Sequence, residues 1–271
     1  MSGDRLSTAV SWLFVPASRP ERFAKACASG ADVVVIDLED AVAADAKTEA
    51  RATLLRDWPT DAGVPVVVRV NGVRTAESAA DLAACSELAP AAVVLPKAES
   101  AEDVHTAAEA SGVPVLPLVE SARGLVGLAG IAAADGVVRL LFGSVDLALD
   151  LGVTDDAALD TARADLVRWS AACGLPQPVD GVSTAIRDAG TVTRESRRAK
   201  AWGFGGKLCI HPSQVRLVHA AFAPGEEELA WARKVLAVES DGAAMVDGEM
   251  IDRPVVERAR RIVREAERAA H

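Results

Sequence analysis

Short apolar runs recur along the chain and alternate with longer segments in which apolar residues follow a helical period. The eight runs span residues 12–15, 33–38, 65–70, 92–96, 113–119, 138–142, 177–181 and 206–210. Runs of this length, bounded by Pro and Gly, are typical of strands buried on both faces of a parallel sheet. Ala-rich amphipathic sequence, typical of helices, occupies residues 19–29, 45–57, 75–88, 100–110 and 156–173.

Eight strands alternating with helices predict a parallel sheet with right-handed crossovers. A closed (β/α)₈ TIM barrel over residues 1–223 fits this count, and roughly 250 residues is typical of such a domain. An open doubly wound sheet is the alternative, but no Gly-x-Gly-x-x-Gly follows the first strand.

The pattern changes beyond residue 210. Helices are predicted at 211–223, 226–240 and 254–270, with a polar connection at 241–249. We therefore predict a C-terminal helical extension, residues 224–271. Such an extension either packs beneath the barrel or reaches over a neighbouring subunit. Because a polar connection between helices suits a lid, we expect the second for residues 241–252.

Two acidic residues, Glu120 and Asp146, each lie just beyond an apolar run. On successive strands of a barrel they would point into the same mouth, and a buried carboxylate needs a cation or hydrogen-bond donors. Their pairing predicts a hard-metal site, with Mg²⁺ as the expected ion. The alternative is that both carboxylates cap helices or stand at the rim as ordinary charges.

Further charged residues lie at the predicted strand ends. Arg69 lies within the apolar run 65–70, where an unpaired guanidinium would be costly, and it either neutralises an acidic cluster structurally or holds a substrate carboxylate. That cluster is Asp37, Glu39 and Asp40, and its carboxylates could orient metal ligands.

Three basic residues and one histidine lie at the rim of the predicted barrel. Arg19, Arg22 and Lys97 are each typical of solvated surface charge, although together with a helix N-terminus they could bind phosphate. His211, just before Pro212, is expected to cap the last barrel helix.

Composition narrows the class of protein. The 271-residue chain is half hydrophobic and carries a net charge of −10, which disfavours nonspecific binding to nucleic acid or anionic membranes.

The four cysteines are far apart, with no Cys-x-x-Cys pair, and are expected to be reduced thiols; they are Cys27, Cys85, Cys173 and Cys209. No apolar run has the length of a signal peptide core or a membrane span, so we expect a soluble, cytoplasmic protein.

The ordered set of motifs resembles the citrate lyase beta-subunit-like family, within the group of malyl-CoA lyases, citramalyl-CoA lyases and related magnesium-dependent aldolases. The matching stretches are 13–20 (LFVPASRP), 35–42 (VIDLEDAV), 68–71 (VRVN), 95–99 (LPKAE), 118–124 (LVESARG), 142–147 (FGSVDL) and 209–214 (CIHPSQ). In the related pyruvate aldolases a histidine base follows the second strand, whereas this chain has Asp40 there.

The resemblance implies a (β/α)₈ barrel in which Glu120 and Asp146 bind Mg²⁺ and Arg69 contacts the keto-acid part of the substrate. Glu39 and Asp40 would lie nearby. It also implies a homotrimer or trimer-based hexamer. The stretch 248–254 (GEMIDRP) matches a segment that covers a neighbouring active site, so Asp252 becomes the expected acid/base.

The activity implied is reversible cleavage of an acyl-CoA thioester, malyl- or citramalyl-CoA, to acetyl-CoA and a 2-oxo acid. We expect Arg19, Arg22 and Lys97 to hold the CoA phosphates. Two alternatives remain at this point: a beta subunit acting on a citryl-carrier-protein thioester within a citrate lyase complex, and a non-catalytic scaffold barrel.

Overall fold

Eight parallel strands close into a barrel in the computed structural model, which describes residues 2–240, 245–246 and 249–269. The strands are β1 Ser11–Pro16, β2 Val33–Asp37, β3 Val66–Arg69, β4 Val93–Leu95, β5 Val115–Val119, β6 Leu141–Phe142, β7 Val179–Asp180 and β8 Gly206–Cys209. Each pairs with its neighbours in sequence, and β1 pairs with β8 to complete the closure. The TIM-barrel prediction is therefore confirmed, and the alternative of an open doubly wound sheet is wrong.

Ten α-helices lie within described residues 2–222. They are α1 Ser2–Thr8, α2 Phe23–Cys27, α3 Lys47–Arg56, α4 Ser78–Leu88, α5 Ala101–Ser111, α6 Ala122–Ala133, α7 Ser144–Leu151, α8 Asp160–Ala172, α9 Ala189–Trp202 and α10 Pro212–Phe222. The helices α2, α3 and α8 are shorter than expected, because a 3₁₀ turn occupies the start of each predicted segment.

The barrel interior is filled by alternate strand residues. One buried apolar cluster draws members from all eight strands, and it can therefore lie only inside the barrel. Its strand members are Trp12, Val33, Val35, Val67, Val94, Leu116, Leu118, Leu141, Val179 and Leu208. Side chains two residues further on point the same way. This period brings Phe14, Asp37, Arg69 and Glu120 to the carboxyl-terminal mouth of the barrel.

A buried arginine holds the opposite end of the barrel. Arg139 is 1% exposed, and its guanidinium donates to the carbonyl oxygens of Leu6 (3.0 Å), Ala9 (2.7 Å) and Gln177 (2.6 Å). Leu6 and Ala9 lie at the end of α1, so Arg139 ties that helix to the barrel.

The chain divides into two compact units, residues 1–221 and 222–271. The second contains α11 Glu226–Ser240, the short antiparallel strands β9 Met245–Val246 and β10 Glu249–Met250, and α12 Arg253–Ala269. Its apolar core is formed between α11 and α12 by Ala232, Val235, Val256, Ala259 and Ile262. Residues 241–244 and 247–248 of the expected lid segment lie outside the described residues.

All four cysteines are free thiols, as predicted. Burial raises the pKa of Cys85 and of Cys209 to about 12, so both stay protonated near neutrality. No helix among the described residues is long and apolar enough to cross a lipid bilayer.

Candidate active site

Glu120 occupies the mouth of the barrel just after β5. Its side chain is buried, and Oε1 accepts a hydrogen bond from the backbone N–H of Lys97 at 2.9 Å. Oε2 points towards Gly143, since a Cβ placed on that glycine would collide with it. Gly143 therefore leaves the space that the Glu120 carboxylate fills. Ser121, not Glu120, caps α6 by accepting from the Gly124 N–H, which excludes capping as the role of Glu120.

Asp146 lies in the first turn of α7, immediately after β6. It is half-buried, and its charge contributes to raising the pKa of Glu120. No side chain caps α7, whose N-cap is Gly143. The structure thus brings together the two carboxylates that the strand-end argument had paired.

Arg69 joins the acidic cluster at the same mouth. Its Nε and Nη2 donate to Asp37 Oδ1 (2.7 Å) and Oδ2 (2.6 Å), a two-point ion pair. Nη1 lies 3.0 Å from Glu39 Oε2 and 3.8 Å from Asp40 Oδ2. The guanidinium also stacks over the Phe14 ring at 4.8 Å. Burial alone would lower the pKa of Arg69, but the hydrogen bonds and charge of Asp37 raise it, so Arg69 stays charged.

The carboxylates of the acidic cluster differ in their surroundings. Asp37 also accepts from the backbone N–H groups of Glu39 (2.8 Å) and Ala41 (3.1 Å), so it shapes the loop after β2. Glu39 is buried, and its Oε2 has an ion pair with Arg69 but no hydrogen-bond partner among the described residues. Asp40 is exposed. Hence Asp37 holds Arg69 and the loop after β2, whereas buried Glu39 contacts Arg69 and Lys97 and Asp40 is open to solvent.

Lys97 lies between the acidic cluster and Glu120. Its Nζ donates to Glu39 Oε1 at 3.1 Å, while its N–H holds Glu120. Although burial opposes it, the charge of Glu39 raises the pKa of Lys97, which keeps the ammonium charged. Lys97 is therefore exposed at the rim, as are Arg19 and Arg22, but its ammonium is already paired with Glu39.

The charge balance at the mouth favours a divalent cation. Burial raises the pKa of Glu120 well above its usual range, and the charges of Glu39 and Asp146 raise it further against the opposing effect of Arg69. A cation relieves such repulsion between carboxylates. Within the described residues no group of three or more His, Cys, Asp or Glu could hold a metal. A site of two carboxylates suits Mg²⁺, which keeps several water or substrate ligands.

The remaining predicted residues lie elsewhere. Arg19 and Arg22 are exposed just after β1, and Arg19 pairs with Glu21 at 2.6 Å. His211 is exposed, and its Nδ1 accepts from the Ser213 N–H at 3.2 Å as α10 begins, which is the capping role that was expected. Asp252 belongs to the second unit, is exposed, and accepts from the Val255 N–H at 3.1 Å at the start of α12.

Comparison with known protein families identifies the family of this chain. The model of the HpcH/HpaI aldolase/citrate lyase family matches residues 10–212, which is most of the chain and all eight strands of the barrel. The chain belongs to this family. Its membership agrees with the resemblance carried by the strand-end motifs.

Three curated relatives match over nearly the whole chain. A citrate lyase subunit beta-like protein of Mycobacterium tuberculosis is 44% identical, covering 94% of both chains. A (3S)-malyl-CoA thioesterase of Cereibacter sphaeroides is 35% identical, covering 96% of this chain and 95% of its own. The human mitochondrial citramalyl-CoA lyase is 31% identical, covering 93% and 83%. The family members similar to this chain therefore include both lyases and thioesterases.

A solved structure shows what one family member binds. Protein CitE of Mycobacterium tuberculosis, in complex with magnesium, acetoacetate and coenzyme A, superposes with a TM-score of 0.86 at 41% identity. The match covers 96% of this chain and 99% of that one. That relative holds a divalent metal, an oxo acid and CoA.

Proposed function

We propose that this protein is a magnesium-dependent carbon–carbon lyase. Its substrate would be a 3-hydroxy-3-carboxyacyl-CoA, such as citramalyl-CoA or malyl-CoA, cleaved reversibly to acetyl-CoA and pyruvate or glyoxylate. The observation that carries the proposal is the buried Glu120 beside Asp146, next to Arg69, in a chain of this family.

Glu120 and Asp146 are the residues that would hold Mg²⁺. Bound Mg²⁺ supplies a Lewis acid that polarises the oxygen atoms of the oxo-acid half of the substrate. The magnesium complex of the 41% identical CitE structure supports this assignment.

Arg69 would bind the oxo-acid carboxylate and stabilise the charge that develops on the oxygen as the carbon–carbon bond breaks. Asp37 already orients the guanidinium through two hydrogen bonds, so little side-chain freedom is lost on binding. Glu39 and Asp40, at the same mouth, would exchange protons with the substrate hydroxyl or with water.

Cleavage leaves an electron pair on the thioester half, and the resulting enolate carbon needs a proton to become the methyl group of acetyl-CoA. Asp252, supplied by a neighbouring subunit of a trimer or hexamer, would deliver that proton. Arg19 and Arg22, each with about half of its side chain exposed, are available to the CoA phosphates. Lys97 would join them with the ammonium donors that its pairing with Glu39 leaves over.

A mass-spectrometric assay tests the proposal directly. Purified protein with Mg²⁺ would be offered malyl-, citramalyl-, citryl- and 3-hydroxy-3-methylglutaryl-CoA, each with an EDTA control and with the E120Q variant. We expect release of acetyl-CoA and one oxo acid, abolished by EDTA and in E120Q. Undiminished cleavage of any of these substrates in EDTA, or by E120Q, would contradict the proposal.

Hydrolysis is the second candidate, because the 35% identical relative from Cereibacter sphaeroides is a (3S)-malyl-CoA thioesterase. The same assay separates the two reactions: a thioesterase releases free CoA and intact malate, whereas a lyase releases acetyl-CoA and glyoxylate. Inactivity towards all four CoA esters would instead favour a carrier-protein thioester, as in a citrate lyase complex, or a scaffold role.

A further inference from the structure

The loop after β4 contains a strained residue beside the candidate metal ligand. We refer to residues 96–100 as the β4 loop. Lys97 in this loop has φ = +50°, in the left-handed region that residues with a side chain rarely adopt. Such a conformation persists only where surrounding contacts hold it in place.

The side chain and backbone of Glu99 hold one part of the β4 loop. Its Oε1 accepts from Ser121 Oγ at 3.0 Å, and Oε2 accepts from Arg74 Nη1 at 2.9 Å. Its N–H donates to Asp103 Oδ2 at 2.9 Å. The loop is therefore attached at once to α5, to the start of α6 and to the segment after β3.

Two glycines of α6 let that helix lie directly against the loop backbone. A Cβ on Gly124 would stand 2.7 Å from the Ala98 carbonyl oxygen, and a Cβ on Gly127 would overlap the Glu99 carbonyl oxygen. One turn later, a Cβ on Gly130 would meet only Ala101 Cβ, at an ordinary 3.9 Å. Since glycine weakens a helix interior, its presence at the two contact positions marks a close approach that the fold requires.

These contacts determine where the Lys97 N–H points. It donates to Glu120 Oε1 at 2.9 Å, which leaves Oε2 directed towards Gly143 and the start of α7, where Asp146 lies. We propose that Lys97 is a positioning residue: the clamped β4 loop fixes its N–H on one oxygen of Glu120 so that the other oxygen is presented to the cation. The inference rests on the magnesium site of the proposed function.

The backbone and the ammonium of Lys97 have separate partners. The N–H contacts Glu120, whereas Nζ contacts Glu39. Movement of the loop should therefore affect the cation site more than loss of the ammonium does. Partners that orient a metal ligand typically change metal affinity by about 10–100-fold when they are removed.

The test measures Mg²⁺ binding to the purified protein by isothermal titration calorimetry, with no substrate present. G127A forces a methyl group against the Glu99 carbonyl and should weaken Mg²⁺ binding by about tenfold or more. G130A, on the same helix without such a contact, is the matched control and should bind as the wild type does. K97M, which keeps the N–H, should weaken binding less than G127A.

A steady-state readout accompanies the titration. For G127A the Mg²⁺ concentration giving half-maximal rate should rise, while kcat recovers at saturating Mg²⁺. If G127A does not fold, E99A replaces it, because it removes the two side-chain attachments of the loop without adding atoms. E99A should then weaken Mg²⁺ binding several-fold.

Three results would overturn the inference: wild-type Mg²⁺ affinity in folded G127A and E99A, a K97M defect larger than that of G127A, or no Mg²⁺ binding by the wild type. Wild-type protein that binds Mg²⁺ but cleaves no acyl-CoA would contradict the proposed function alone and leave this inference standing.

Discussion

At the scale of single residues, the candidate site depends on a glycine, which has no side chain, as much as on charged residues. Gly143 leaves the space in which Glu120 sits, and a Cβ there would collide with both Cβ and Oε2 of the glutamate. We predict that G143A lowers Mg²⁺ affinity and lyase activity by about tenfold or more, because the ligand oxygen is displaced. Calorimetric titration and the acyl-CoA assay measure the two effects.

Gly72 provides the matched control for that substitution. It also follows a barrel strand, but a Cβ there would meet only the Pro96 carbonyl oxygen, at 3.8 Å. G72A should therefore leave Mg²⁺ affinity unchanged. Equal affinity of G143A and G72A would show that the glycine does not shape the ligand.

The charged residues of the site were more accessible to sequence reasoning than the residues that hold them. Side chains alternate along a strand, so Glu120, just beyond a buried run, and Arg69, near the end of one, are expected at the mouth. The left-handed backbone of Lys97 and the need for glycine at 143 arise from contacts between separate βα units. No local pattern encodes such contacts, although the Phe-Gly-Ser sequence at the end of β6 is a signal that could have drawn attention to Gly143.

At the scale of elements, strand existence was predictable but strand length was not. Three of the predicted runs, 33–38, 65–70 and 92–96, contain adjacent valine or isoleucine residues, as buried strands do. Yet β6 and β7 have two residues each, although five were predicted for both. The lengths depend on how far neighbouring strands stay in register, which is a property of the closed barrel.

The helix α1 was absent from the sequence prediction because residues 1–10 are polar and mixed. The helix is held by a distant residue: the Arg139 guanidinium donates hydrogen bonds to the carbonyl oxygens of Leu6 and Ala9 from inside the barrel. We predict that R139M lowers the free energy of unfolding by about 3 kcal/mol or more, because hydrogen bonds from a charged buried donor are lost and their carbonyls remain buried. Urea denaturation followed by circular dichroism measures the change.

Arg168 serves as the control for that variant, because its side chain is 68% exposed and pairs only with Asp165 at 2.9 Å in the interactions described. R168M should change stability by no more than about 0.5 kcal/mol. A loss below about 1 kcal/mol in R139M would show that α1 is held mainly by apolar contacts.

The start of β1 is tied to α10 through Asp32. Its Oδ2 accepts from the N–H groups of Val10 (2.7 Å) and Ser11 (2.9 Å) and lies 3.1 Å from His219 Nε2. Burial raises the pKa of Asp32, but the hydrogen bonds from His219 and Ser11 outweigh it, so the pKa falls below its ordinary 3.8. The folded state thus favours the carboxylate over the acid.

The pH dependence of folding stability follows from the lowered pKa of Asp32. A lowered carboxyl pKa stabilises the fold fully above 3.8, and the contribution is lost as the pH falls through the folded-state value. We predict that D32N melts below the wild type at pH 7 and that the difference narrows between pH 4 and pH 3. Calorimetry across this range tests it, with the exposed Asp135 changed to Asn as the control. A difference in melting temperature between D32N and the wild type that widens as the pH falls would contradict the prediction.

At the scale of the whole molecule, the proposed chemistry needs a residue that lies in the second compact unit. Asp252 caps α12 there through the Val255 N–H. Asn caps a helix about as well as Asp, so D252N should keep the fold while removing the proton donor. We predict that D252N and E120Q, purified separately, are each inactive in the acyl-CoA assay, with melting temperatures near that of the wild type.

Co-expression of the two variants separates action within a subunit from action between subunits. If Asp252 serves a neighbouring barrel, a D252N barrel beside an E120Q subunit has an intact Glu120 and receives an intact Asp252. Random assembly around a ring should then restore about one quarter of wild-type activity, since half of the barrels are intact and half of their neighbours supply Asp252. If Asp252 serves its own barrel, every site in the mixed oligomer carries one lesion and activity stays at the level of the single variants. Mixing the two purified proteins without subunit exchange is the control, and recovery only after co-expression would assign Asp252 to the site of a neighbouring chain.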